Sequence, residues 1–419
     1  MLSITCDVKQ RKLLSLTFSK KANILLVENN WGNTMAKQLG YVLINPYTIR
    51  KSRTGGVINR LLSWGRLNLV AARMFSPSEE LVKEYISAML ASHKVDNKIV
   101  KEIERYLFTN YLPQKGSDFL PRVMLLLFEG EGAIEEIKRV VGHITKVSIG
   151  ETIRGTYGDY IEERGKIKYF EPAVLIGMDE EEVREELKVW AKYSEKDGGV
   201  LRGAISYPPK VKPQRTLVLI KPDSFQELSS KAGNIIDRFS QTGLFIIGAR
   251  VIQMGVEQAE NFYEPIKERL TEKMKKSLYQ EICSALKEKF DFSFPEGIGE
   301  KIAEELKVYK AKHEFNKIIK FMTGKNPETT PLEDRKKPGL EKCLALVYEG
   351  EEAVHKIRKV LGETNPEEAA PGTVRKDFGH DIIKNGAHAS DSEESAKREL
   401  KIIDIEKDEI LPLVKKYYG

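Results

Sequence analysis

Cysteine is scarce. The three in 419 residues, Cys6, Cys283 and Cys343, are odd in number, far apart and outside any C-x-x-C spacing. That excludes a disulfide framework and a zinc ribbon, and the three read as reduced core thiols. Long apolar runs are missing as well: none approaches the roughly 20 residues of a membrane-spanning helix. The first twenty residues lack the basic, apolar and small-residue blocks of a secretory signal. A cytoplasmic location and no membrane partner are the expectation. No Gly-rich phosphate loop of the G-x-x-x-x-G-K type occurs, so P-loop chemistry is not indicated. Neither sign of charge is in large excess. Lys plus Arg number 68 against 62 Asp plus Glu, a net charge of +6. The basic residues are interleaved with Glu, as in EEIKRVV and EELKVYKAK, which reads as solvated helix faces and not as a nucleic-acid-binding stripe.

What is present points to a globular protein: 41% hydrophobic and 31% charged residues over a length that predicts two or three domains. Internal similarity organises the chain. YVLINPY at 41–47 resembles LVLIKPD at 217–223, and GGVINRLLSWGRLNLVAARM resembles AGNIIDRFSQTGLFIIGARV. LLLFEGEGAIEEIKRVVG at 125–142 matches ALVYEGEEAVHKIRKVLG at 345–362, and ETIRGTYGD at 151–159 pairs with GTVRKDFGH at 372–380. Four matches in one order mean two copies of one domain, expected over 41–205 and 206–419. The Gly-, Pro- and charge-rich stretch from Ser194 to Pro213 reads as the linker. Residues 1–40 form an extension with one expected strand, Asn23 to Val27.

In the second copy, Thr216 to Ile220, Phe245 to Gln253 and Leu344 to Glu349 read as strands. Ala232 to Gln241, Gln258 to Lys267 and Glu352 to Leu361 read as helices. This order predicts an α+β fold of the ferredoxin-like kind, an antiparallel sheet with helices on one face. A helical insertion of about 270–312 is expected, its two helices broken at FPEGIGE.

TLVLIKPDS, LVYEGEEAV, RKVLGETNPEEAAPGTVRKDFG and NGAHASDSEESAKREL together resemble the signature segments of nucleoside diphosphate kinases. The resemblance covers about Gln214 to Ile402. A neutral imidazole can attack phosphorus and carry the phosphoryl group, and a single His among six is more often structural, but the flanking blocks single out His388. The resemblance implies ping-pong transfer of a γ-phosphate through phospho-His388, with nucleoside di- and triphosphates as substrates. It further implies Arg358, Thr364 and Arg375 on phosphate oxygens, helped by Arg269. Lys221 and Asn385 would hold the ribose, with Lys221 also near the transferring phosphate. Tyr263 would lie against the His, and Glu399 would orient its ring. Phe315 and Ile318 would clamp the base by stacking, with broad nucleotide tolerance as the result. Mg2+ is implied through the nucleotide phosphates, without dedicated protein ligands. Asp391 and Ser392 suit a helix cap. The family usually has Gly after the His; Ala389 adds a methyl group there, and slower turnover is the expectation.

The first copy has Asn45 for Lys221, Lys138 for Arg358, Arg154 for Arg375, Pro172 for Asn385 and Leu175 for His388. Leucine cannot accept a phosphoryl group, so this copy is expected to be silent and to pack on its sister as an intramolecular pseudo-dimer that associates further. The alternative reading is a non-catalytic tandem scaffold that binds nucleotide weakly and docks protein partners through its helical insertion.

Overall fold

The computed structural model describes residues 37–419 apart from 93–96, 146–147, 227, 293 and 296. Cys6 and the strand expected at Asn23 to Val27 lie outside the described residues. The first half runs β1 (Lys37–Ile44), α1 (Pro46–Arg50), α2 (Thr54–Trp64), β2 (Asn68–Phe75), α3 (Glu79–Ser92), α4 (Asn97–Asn110), β3 (Val123–Glu131), α5 (Ala133–Val141) and α6 (Ile153–Tyr157). It continues through a hairpin of β4 (Asp159–Glu163) and β5 (Lys166–Glu171), then β6 (Val174–Leu175), α7 (Glu180–Lys192) and α8 (Ser194–Asp197). The second half runs β7 (Gln214–Ile220), α9 (Lys231–Ser240), β8 (Phe245–Ile252), α10 (Val256–Tyr263), α11 (Ile266–Lys289), α12 (Ile298–Thr323) and β9 (Cys343–Gly350). It closes with α13 (Ala353–Leu361), α14 (Val374–Phe378), β10 (Ala387–Ala389), α15 (Glu393–Ile402) and α16 (Ile410–Tyr418).

The two sheets have the same strand order, β2-β3-β1-β6 and β8-β9-β7-β10, with every pair antiparallel. Both edge strands carry a register shift at matching places, between Leu69 and Ala71 and between Ile246 and Gly248. The fold is α+β, as the element order predicted. Apolar residues dictate the layering: all eight residues of β9 are buried between β7 and β8, while α9 turns Ile235, Ile236 and Phe239 into the same core. Within the insertion, α11 and α12 pack against each other as a helical hairpin. The helix expected to run on to Lys267 ends at Tyr263, and a new one starts after Pro265, whose ring suits a helix start.

The halves meet where α2 crosses α9. A Cβ on Gly233 would sit 2.4 Å from the Gly55 carbonyl oxygen and 2.5 Å from the Asn59 nitrogen. Alanine normally gains on glycine in a helix, by roughly 0.5–1 kcal/mol, but here the blocking atoms are backbone and cannot swing aside. Gly233→Ala is therefore expected to cost about 1–3 kcal/mol. Its urea midpoint checks this, and an unchanged or higher midpoint defeats the account. Asn59 Nδ2 donates to Asn234 Oδ1 across the crossing at 2.9 Å.

The stretch read as a linker is laid along both edge strands: Gly199 N donates to Met74 O of β2 at 2.9 Å, and Leu201 N to Ile247 O of β8 at 2.8 Å. Exposed edges are thereby closed. The chain end returns over the first half. Arg250 donates to Ile403 O and Asp404 O, and Arg73 to Lys407 O and Glu406 O. After these two grips α16 buries Ile410 and Val414 among Leu39, Tyr41 and Trp190, and Tyr417 donates to Glu129 at 2.7 Å.

Candidate active site

His388 sits at the centre of the three-residue edge strand β10, opposite Leu219 of β7. Side chains alternate along a strand, so Ala387 and Ala389 point into the core and the imidazole points the other way. The methyl group of Ala389 is thus turned from the imidazole, and the close-approach reason for slower turnover falls away. Gly386, at φ +79°, makes the tight turn into β10.

One imidazole nitrogen is already engaged. His388 Nε2 lies 3.0 Å from Glu399 Oε2, and that same oxygen accepts from Ser390 Oγ at 2.7 Å. Glu399 is buried on α15, and Arg398 reaches its other oxygen at 3.5 Å. A carboxylate accepting the Nε2–H leaves the lone pair on Nδ1. The ring is 20% exposed and stands edge-on to Phe262 and Tyr263, with centroids 5.1 and 6.0 Å away. Burial pushes the Tyr263 hydroxyl well above its ordinary pKa, and the hydroxyl has no hydrogen-bond partner.

A second cluster stands around Lys221, at the end of β7. Its Nζ donates to Asn385 Oδ1 at 2.7 Å and to Ile383 O at 3.0 Å, and Asn385 Nδ2 in turn donates to Thr364 O at 3.0 Å. Arg375, from the short α14, donates to Gly362 O at 3.1 Å and to Thr364 Oγ1 at 3.3 Å, leaving its Nε unpaired. Burial, then the nearby Arg375 charge, brings the Lys221 ammonium down to about 7. Burial and Arg358 bring Arg375 down to about 10. Crowded cations held at the cost of burial suit a polyanionic ligand.

Arg358 is exposed at the end of α13, and Arg269 is 3.8 Å from Asp391. Ser392 caps the helix, its Oγ accepting from Ser395 N, while Asp391 bonds the Ser395 side chain and lies 3.8 Å from Arg269. Phe315 and Ile318 lie on α12. Phe315 is buried in the core with Lys267 Nζ 4.8 Å over its ring, and Ile318 is partly buried beside it. A base stacking on that face of Phe315 must displace Lys267. Sequence reasoning missed Phe262, Ser390 and Arg398. Ser390 and Arg398 flank the singled-out His388 and Glu399, and Phe262 adjoins Tyr263, so adjacency was the available signal.

The first half keeps the frame and differs at the site positions. Leu175 pairs with Leu43 as His388 pairs with Leu219, which fixes their equivalence. Glu186 stands where Glu399 does but accepts from Tyr41. Asn45, in place of Lys221, is buried and accepts from Tyr111 OH at 2.7 Å. Lys138 is paired with Glu135 on the surface.

The family model described as nucleoside diphosphate kinase matches residues 214–290 and 298–409, the second half. The nucleoside diphosphate kinase of Sulfurisphaera tokodaii is 32% identical over 200 residues, 48% of this chain and 95% of the relative. That of Halorhodospira halophila is 30% identical over 187 residues, 45% of this chain and 89% of the relative. A solved structure titled as an NDP kinase from Pyrobaculum aerophilum aligns at 26% identity and a TM-score of 0.32, covering 46% of this chain and 95% of that one. With the His–Glu pair and the buried cations in the half these relatives match, the chain belongs to the nucleoside diphosphate kinase family.

Proposed function

We propose that the second half transfers the γ-phosphate of a nucleoside triphosphate to a nucleoside diphosphate in two steps through phospho-His388, and that the first half takes no part in the chemistry. The observation that carries this reading is the 3.0 Å contact of His388 Nε2 with Glu399, which holds the ring so that Nδ1 can attack. Nδ1 attacks the γ-phosphorus, the bond to the β–γ bridging oxygen breaks, and the diphosphate leaves. The second diphosphate's terminal oxygen then attacks the phosphohistidine, and the ring returns to its first state.

Phosphoryl transfer depends mostly on position and charge. In this reading Arg358, Arg375 and Thr364 take phosphate oxygens, Arg269 closes the mouth, and Lys221 and Asn385 hold the ribose. Mg2+ supplies charge neutralisation on the phosphates. Asp391, 45% exposed, is the open carboxylate beside them, and among the described residues no three acidic, His or Cys groups are placed to hold a metal by themselves. The two halves act together as an intramolecular pseudo-dimer, supported by the α2–α9 crossing and the matching sheets. Base clamping by Phe315 and Ile318 is part of this proposal and requires Lys267 to move. The test is incubation with γ-labelled ATP and Mg2+ without acceptor. An acid-labile, base-stable phosphoprotein that GDP discharges is expected. Nucleotide binding without label is the outcome of the scaffold reading.

The buried Lys221 couples binding to protons. At pH 8 an ammonium with a pKa of about 7 is mostly neutral, and a phosphate beside it favours the charged form. ADP binding at pH 8 is expected to take up a proton and to weaken as pH rises above 7. Calorimetry in two buffers of different ionisation enthalpy measures the uptake. Zero uptake, or uptake unchanged in Lys221→Met, removes Lys221 as the source.

A further inference from the structure

The first half holds a cavity of about 520 Å³ beside Leu175, within the range of small-molecule sites. Its walls are mainly apolar, with Met89, Ile99, Ile103, Ile176 and Met178 among them. The polar group of interest is Arg154. It is buried, donates to Gly142 O at 2.8 Å and to Val174 O at 3.2 Å, keeps its Nε–H without an acceptor, and has no carboxylate within ion-pair distance among the described residues. A buried cation without a counter-charge is costly. Burial accordingly brings its pKa down to about 10.

We propose that this cavity binds a small monoanion with an apolar body, an aryl or branched aliphatic carboxylate, whose charge neutralises Arg154. The surroundings argue against a polyphosphate. Where the second half gathers Lys221, Arg358 and Arg375, the first half has Asn45 and the surface-paired Lys138. Of the other basic groups on the cavity wall, Lys98 is 2.7 Å from Glu162 and His143 Nδ1 accepts from Thr145 N at 3.2 Å. Glu162, Glu182 and Glu186 are the carboxylates of the lining, and a chain of phosphate charges would face them. Glu186 is pushed up to about 8 by burial, so at neutral pH it is mostly uncharged and adds little repulsion toward a single anionic group. Leu175 supplies apolar surface where the second half has its imidazole.

The test uses 4-fluorobenzoate and the full chain, followed by fluorine NMR with saturating ADP and Mg2+ to occupy the second half. Broadening and shift of the probe signal are expected despite the ADP. The neutral 4-fluorobenzamide should bind at least about tenfold more weakly, because it lacks the charge-assisted pairing with Arg154. Met178→Trp, which fills the partly exposed side of the cavity, should abolish the signal while leaving phosphate labelling of His388 unchanged. Arg154→Met should lose the preference for benzoate over benzamide. No benzoate binding at millimolar probe, equal binding of the amide, full competition by ADP, or binding unaffected by Met178→Trp would each overturn the proposal. The amide comparison needs no variant, so it decides even if Arg154→Met does not fold.

Discussion

His388→Ala is expected to take no label from γ-labelled ATP and to lose roughly five to six orders of magnitude in phosphoryl transfer, the scale seen when a nucleophile is removed. The loss should be this complete because nothing nearby can substitute. The other ring nitrogen belongs to the same side chain, Tyr263 OH is buried and held protonated, and Ser390 Oγ is spent on Glu399. The ring is one-fifth exposed on an edge strand and packs on Phe262 and Tyr263, so the variant's thermal midpoint is read alongside its rate. A residual rate within a hundredfold of wild type would place the nucleophile elsewhere. Label in the first half of the variant would contradict its silence.

A chain ending at Glu409 is expected to lose about 3–6 kcal/mol, since α16 buries Ile410 and Val414 fully and each such side chain is worth about 1.5–3 kcal/mol. Set against a total of roughly 5–15 kcal/mol for a typical protein, that is severe. The damage should fall on the first half, because α16 packs chiefly on α7 and β1. Thermal unfolding followed by near-ultraviolet signal from Trp190, buried in that core, reads the effect directly. An unchanged midpoint would show that the C-terminal helix is an ornament.

The correspondence of strands was legible because the repeat is legible: matched blocks pair the strands of one half with those of the other, and the two sheets share register shifts at Leu69/Ala71 and Ile246/Gly248. The equivalence of Leu175 and His388 was readable through the helix that follows each. The β4–β5 hairpin was not anticipated; DYIEE and KIKYFE are mostly exposed and charged, without the apolar alternation that marks a half-buried strand. Docking of α16 on the other half was equally hidden, since an amphipathic period says that a face is covered and not by what. Phe315 shows the same limit: an apolar position at helical spacing is compatible with a clamp and with a core, and this one is 5% exposed. The lowered Lys221 pKa depends on burial and on a charge 154 positions away in the chain, which no local pattern carries.

The crossing of Gly55 and Gly233 joins two parts of one polypeptide. Association between separate subunits follows mass action and is lost on dilution. Here the strap from Gly199 to Leu201 and the return of the chain through Arg250 and Arg73 hold the partners at a fixed effective concentration. The seam is therefore as fully formed at the lowest protein concentration as at the highest, and each second half carries its first half with it on dilution.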